Sequence, residues 1–184
     1  MFGTVEIDET YVGGKQRGKG FSGRASEATN AQSNKRVVIG LRQRGGKLRL
    51  VHAKDATSET IGTIIKEHVH PDVERVMTDE FRVYPKALID AGVHGSKHKT
   101  IRHKEKVYVE GEVHTNTVEN AFSLFKRGLV GSFHKVSIKH LNRYLSEFEY
   151  RFNNREAADL FSQMLQQMTK TGNLEFAELI AMKQ

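Results

Sequence analysis

Three strand-like runs precede the first helix-like run in this chain, and that order limits the folds open to it. Residues 4–12, Thr-Val-Glu-Ile-Asp-Glu-Thr-Tyr-Val, are rich in β-branched and aromatic types. Val5 and Ile7 alternate with Glu6 and Asp8, as in a half-buried strand. Two further strands are predicted at residues 36–43 and 47–53, on either side of the hairpin signal Gly45-Gly46. After the capping residues Asp55-Ala56-Thr57-Ser58, the set Ile61, Ile64, Ile65 and Val69 recurs at helical spacing and stops at Pro71. A fourth strand is predicted at 73–79 and a short helix at 84–91, with Pro85 in its first turn and Gly92 as its stop. A fifth strand is expected at 99–103, with an extension at 106–109. Beyond it the apolar residues fall into three helical stripes: Val118, Phe122, Phe125 and Leu129; Leu141, Tyr144, Leu145, Phe148 and Phe152; and Leu160, Met164, Leu165 and Met168.

This is the order of the ribonuclease H-like fold, an α/β architecture with a mixed five-stranded sheet flanked by helices, here with additional C-terminal helices. A helical crossover after three antiparallel strands lays the fourth strand parallel to the first. At 184 residues the chain suits one catalytic unit. We expect a catalytic domain at 1–158 and a helical extension at 159–184, packed on it or at a dimer contact. The aromatic and methionine stripes are read as core or dimer contact rather than as platforms for stacked bases.

Composition narrows the chemistry. With no cysteine there is neither a disulfide framework nor a cysteine zinc ribbon, so metal ligands must come from carboxylates and imidazoles. His94 and His98 have helical spacing, but Gly95 and Ser96 lie between them, and zinc is not expected. No apolar run is long enough for a membrane span and no secretory signal opens the sequence, so a cytoplasmic location is expected. The net charge of +7 favours polyphosphate partners. Part of it lies in residues 13–35, a Gly-, Ser- and Asn-rich stretch carrying Lys15, Arg17, Lys19, Arg24 and Lys35, read as a basic loop.

Asp8 lies on the first predicted strand, Asp79 ends the fourth, and Glu119 lies near the start of a helix. Three carboxylates within a few ångströms would repel by roughly 4 kcal/mol per pair at an effective dielectric of about 20, so they need cations to coexist. Hard oxygen ligands suit Mg²⁺ or Mn²⁺ and phosphodiester chemistry. Each acid has a plainer reading. Asp8 is flanked by Glu6 and Glu9 and could be one of three solvated acids. Asp79 has a rival in Glu80. Glu119 completes Asn116-Thr117-Val118-Glu119, which fits a helix-capping box.

Several ordered motifs resemble one family. Val5-Glu6-Ile7-Asp8-Glu9-Thr10-Tyr11-Val12-Gly13-Gly14-Lys15, Thr78-Asp79-Glu80 with Tyr84, His114-Thr115-Asn116-Thr117-Val118-Glu119-Asn120 and Phe125-Lys126-Arg127-Gly128 closely resemble the catalytic domain of ISXO2-like transposases of the IS1595 insertion-sequence family. So do Ser137-Ile138-Lys139-His140-Leu141 and the run from Arg151-Phe152 to Asn153-Asn154-Arg155. The resemblance implies a DDE transposase with Asp8, Asp79 and Glu119 as catalytic, metal-binding acids and Lys126 as the lysine following the third acid. It further implies Mg²⁺ (or Mn²⁺) as cofactor, and transposon ends and target DNA as partners. A homodimer or higher oligomer and a bacterial protein associated with the nucleoid when DNA-bound complete the expectation.

Lys126 follows Glu119 by seven residues, two turns along the same helical face, and so could reach a phosphate; a solvated lysine is the plainer alternative. Arg127, Lys15, His114 and Asn116 are further candidates for DNA contact, although His114 could equally be a cap or surface residue. Family members usually carry an N-terminal zinc-ribbon or helix-turn-helix segment, whereas here strand-like sequence begins almost at Met1. One alternative is therefore a truncated or domesticated form that binds DNA or full-length transposase without catalysis. A ribonuclease H-like structure-selective nuclease is another.

Overall fold

The computed structural model describes residues 1–13, 35–101, 115–134 and 136–170. Its sheet is built from β1 (Thr4–Val12), β2 (Arg36–Gln43), β3 (Leu48–Ala53), β4 (Arg75–Thr78) and β5 (His98–Thr100), in the spatial order β3-β2-β1-β4-β5. β1 pairs antiparallel with β2 and parallel with β4, while β4 pairs parallel with β5. The mixed sheet of a ribonuclease H-like fold is thus present. Helices α1 (Ser58–His68) and α2 (Tyr84–Asp90) make the crossovers, and α3 (Asn116–Gly128), α4 (Leu141–Asn153) and α5 (Leu160–Lys170) follow the sheet.

Local chemistry explains the boundaries. Thr57 caps α1 by accepting from the Thr60 backbone N–H, and Asp55 in turn accepts from the Thr57 and Thr60 hydroxyls. Pro71 lies just beyond the last turn of α1, and Gly92, at φ +81°, follows α2 in the left-handed conformation that suits glycine. The third strand begins at Leu48, the fourth spans only Arg75–Thr78, and the fifth is three residues long. The expected extension at 106–109 lies outside the described residues, as does most of the basic loop.

Alternation along β1 and β2 divides the core into two layers. Val5, Ile7, Ile39 and Leu41 meet Ile61, Ile65, Tyr84 and Leu88 from α1 and α2. Val12, Val38, Leu48 and Leu50 meet Val118, Phe122 and Phe125 of α3 and Leu141 and Leu145 of α4 on the opposite face. Gly40 makes that second layer possible. A Cβ there would lie 2.6 Å from the Phe122 ring and 2.9 Å from Val118, so only glycine lets α3 lie this close to the sheet. Gly40 pairs directly with Asp8 across β1 and β2, which places the close approach beside Asp8.

α4 also closes the sheet at β3. Asn153 accepts from the Leu48 N–H at 2.7 Å and donates to the Leu48 carbonyl at 2.9 Å, as a neighbouring strand would. Glu149 accepts from the Leu50 N–H and from Arg49. Leu48 and the Leu50 N–H are thus satisfied by side chains, which blunts this edge as a template for another chain. The Arg42 and Arg155 guanidiniums both lie over the Phe152 ring, 5.1 and 4.6 Å from its centre. The motif around Arg151–Arg155 thus belongs to this edge. The third apolar stripe differs from the first two: no residue of α5 is buried, and Phe161 and Met168 are 72% and 68% exposed. No helix among the described residues is long and apolar enough to cross a membrane.

Candidate active site

The parallel pairing of β1 with β4 places Glu6 beside Met77, so that Asp8 lies level with Asp79 just past the end of β4. One carboxylate oxygen from each of Asp8, Glu9 and Asp79 lies within 4.8 Å of the others, a grouping able to hold a metal ion. Asp79 accepts from the Phe81 N–H at 2.9 Å, a turn that fixes its carboxylate. The Thr78 hydroxyl donates to the Asp79 carbonyl and lies 2.8 Å from His98 Nε2. With the threonine proton engaged, His98 donates through Nε2, and burial lowers its pKa toward the neutral form. Glu80, the rival to Asp79, is exposed and stands outside the carboxylate group.

Glu119, the third acid expected from sequence, is not part of that carboxylate group and is held in a different way. Its helix has Thr115 as N-cap, without a side-chain cap bond, so Asn116 is the first helical residue and the capping box does not form. Instead the Thr115 hydroxyl donates to Glu119 Oε1 at 2.8 Å. The free amides at the start of α3 are taken by Glu6 of β1, whose Oε2 accepts from the Thr117 N–H at 3.0 Å, the Val118 N–H at 3.2 Å and the Thr117 hydroxyl at 2.6 Å. Arg44 holds the other oxygen at 2.7 Å. Glu6 is fully buried and is a clamp between strand and helix rather than a solvated acid. It anchors the helix that carries Glu119.

Asp8, Glu9 and Asp79 form the carboxylate group, and Glu119 lies outside it but adds its charge to the field at Asp8. Asp8 is pushed up to about 7, first by burial and then by the negative charge of Glu9, Asp79 and Glu119, with the Glu9 backbone N–H acting in the opposite direction. Glu9 is also raised, by burial and by Asp79, while its hydrogen bond from Tyr84 lowers it. Tyr84 is raised well above 10 by burial first and Glu9 second, which keeps its hydroxyl protonated as a donor. A half-buried cluster of carboxylates takes up its full charge when positive charge is supplied. The oxygen-only donor set fits a Mg²⁺-type cation.

Glu9 and Tyr84 stand in the quoted motifs but were given no role in the site by sequence reasoning, because alternation puts Glu9 on the opposite face of β1 from Asp8. The signal available was Glu6-Ile7-Asp8-Glu9 itself, three acids in four residues of one strand. Among the candidate DNA contacts, Lys126 and Arg127 are exposed in the last turn of α3, and Asn116 is exposed at its first residue. Lys126 lines an open cavity of about 540 Å³ with Tyr11, Val12, Leu129 and His134, where the end of β1 meets the end of α3. Lys15 and His114 lie outside the described residues.

The chain is 33% identical over 162 residues to an uncharacterized protein in transposable element ISH50 of Halobacterium salinarum, covering 81% of the chain and 52% of that protein. The chain thus spans about half the length of that relative. It is 34% identical over 124 residues to an uncharacterized transposase-like protein of Haemophilus influenzae, covering 67% of the chain and 94% of the relative. Among solved structures, an intasome of simian T-cell lymphotropic virus in complex with PP2A regulatory subunit B56 gamma superimposes with a TM-score of 0.41 at 14% identity, over 80% of this chain and 47% of that one. The model of the ISXO2-like transposase domain matches residues 1–153. By that match, and by the similarity to the Haemophilus relative, this chain belongs to the ISXO2-like transposase domain family of the DDE superfamily.

Proposed function

We propose that this chain is a catalytic domain that cuts and joins DNA during insertion-sequence transposition, with Asp8, Asp79 and Glu119 as its catalytic carboxylates. The observation that carries the reading is the convergence of Asp8 and Asp79 on neighbouring parallel strands, with Glu119 near enough to raise the Asp8 pKa. Bound Mg²⁺ or Mn²⁺ would supply an activated water or 3′ hydroxyl and stabilise the departing oxygen of a phosphodiester.

The protein's part is placement. Asp8 and Asp79 are held by the strand register and the Phe81 turn, and Glu119 by the Glu6 clamp. Lys126, exposed two turns beyond Glu119, attracts a DNA phosphate toward the carboxylates. Arg127 and Asn116 extend that positive or polar surface along the DNA, and Lys15 and His114 are proposed as further DNA contacts. The 159–184 extension offers its exposed stripe to a second copy, giving a homodimer or higher oligomer in the bacterial cytoplasm.

The test uses purified protein with Mn²⁺ and DNA carrying the element end, beside an RNA–DNA hybrid and a four-way junction. Nicking and joining of the element end, abolished in Asp8→Asn with the fold retained, is the expected result. Cleavage of the hybrid or junction alone would identify a structure-selective nuclease. Binding without turnover under any divalent cation would identify a non-catalytic remnant.

A further inference from the structure

Glu9 points from the face of β1 opposite Asp8, yet its carboxylate reaches within 4.8 Å of both Asp8 and Asp79. The topology allows this. β4 ends at Thr78 and its register with β1 ends at the Glu6–Met77 pair, so beyond it side chains from either face can turn round the strand edge toward Asp79. Tyr84, wholly buried at the start of α2, donates its hydroxyl to Glu9 Oε2 at 2.7 Å. That bond, with one from Glu9's own backbone N–H, leaves about two of the four acceptor positions on the carboxylate for a further ligand. Three carboxylates this close repel one another more strongly than one neutral hydroxyl compensates. An arrangement that spends a buried tyrosine on holding a third acid in place is therefore organised for a cation.

We infer that Glu9 is a fourth acidic ligand of the divalent-cation centre, held in position by Tyr84, so that the centre draws carboxylates from both faces of the sheet. This rests on the metal-dependent reading given above and extends it to a residue outside the Asp8, Asp79 and Glu119 set. Tyr84 acts as a positioning residue through Glu9 and contributes no ligand.

The proposal is tested by titrating Mn²⁺ into the metal-free full chain, with calorimetry for affinity and electron paramagnetic resonance for the surroundings of the bound ion. Wild type, Asp8→Asn, Glu9→Gln and Tyr84→Phe are compared, each with its fold checked by circular dichroism. Glu9→Gln is expected to weaken binding by roughly tenfold or more and to change the spectrum of bound Mn²⁺; Tyr84→Phe is expected to weaken it by about tenfold. Wild-type affinity and spectrum in both, with binding lost in Asp8→Asn, would overturn the role of Glu9 and leave the metal-dependent reading intact. No Mn²⁺ binding by wild type would overturn both. Should Glu9→Gln fail to fold, Tyr84→Phe decides: weakened binding supports the assignment, and unchanged binding with an unchanged spectrum overturns it.

Discussion

At Asp8, burial and three neighbouring carboxylates all favour the protonated form, and the consequence for stability has a definite sign. The folded-state pKa of about 7 exceeds the unfolded value near 3.8. The favourable contribution is therefore complete below about pH 4 and is lost as the pH rises through 7. Asp8→Asn mimics the neutral acid, so without metal its melting temperature should match wild type near pH 4 and exceed it by several degrees at pH 8. A difference independent of pH, followed by calorimetric melting, would contradict this. Mn²⁺ affinity of the wild type should rise over the same interval, because binding requires the carboxylate. Glu6 differs in kind, since its partners are already in the protein. Glu6→Gln should cost about 2–3 kcal/mol in urea unfolding, because it removes the charge from three hydrogen bonds and from Arg44 while keeping the volume. No loss would mean that the start of α3 is held elsewhere.

Among the elements, α3 depends on a vacancy in β2. Gly40→Ala places a methyl against the Phe122 ring, and overpacking of this type costs about 1–3 kcal/mol. The variant should unfold at lower urea concentration and join DNA more slowly, since α3 carries Glu119; unchanged values of both would show that α3 adjusts freely. At the far edge, Asn153→Ala should leave the Leu48 N–H and carbonyl without their side-chain partner and raise self-association, read by light scattering, as β3 becomes open to strand addition. These elements differ in how far the sequence reveals them. The first strand, the hairpin at Gly45-Gly46 and the helix after Thr57 follow from alternation, turn chemistry and capping, which are local. Glu6 and Glu9 did not stand out, because their roles depend on the register between β1 and β4 and on contacts with residues about 75 to 110 positions away. The capping box at Asn116 fits the local pattern and fails for the same reason: a buried strand carboxylate reaches the helix amides first.

For the whole molecule, a charge of +7 and a sheet that gathers acids at one point act together. In the proposed function, the overall positive charge attracts the DNA backbone and the local negative cluster governs where chemistry occurs. DNA affinity should fall steeply with salt, and Lys126→Ala should lower the slope of log affinity against log salt by about one if this lysine meets a phosphate. An unchanged slope would make Lys126 a solvated side chain. The most direct measurement of the central claim is anomalous diffraction from crystals soaked in Mn²⁺. Peaks lying between the carboxylates of Asp8 and Asp79, with Glu119 turned toward them, are the predicted result. Mn²⁺ bound only elsewhere, with those carboxylates directed away from one another, would contradict it.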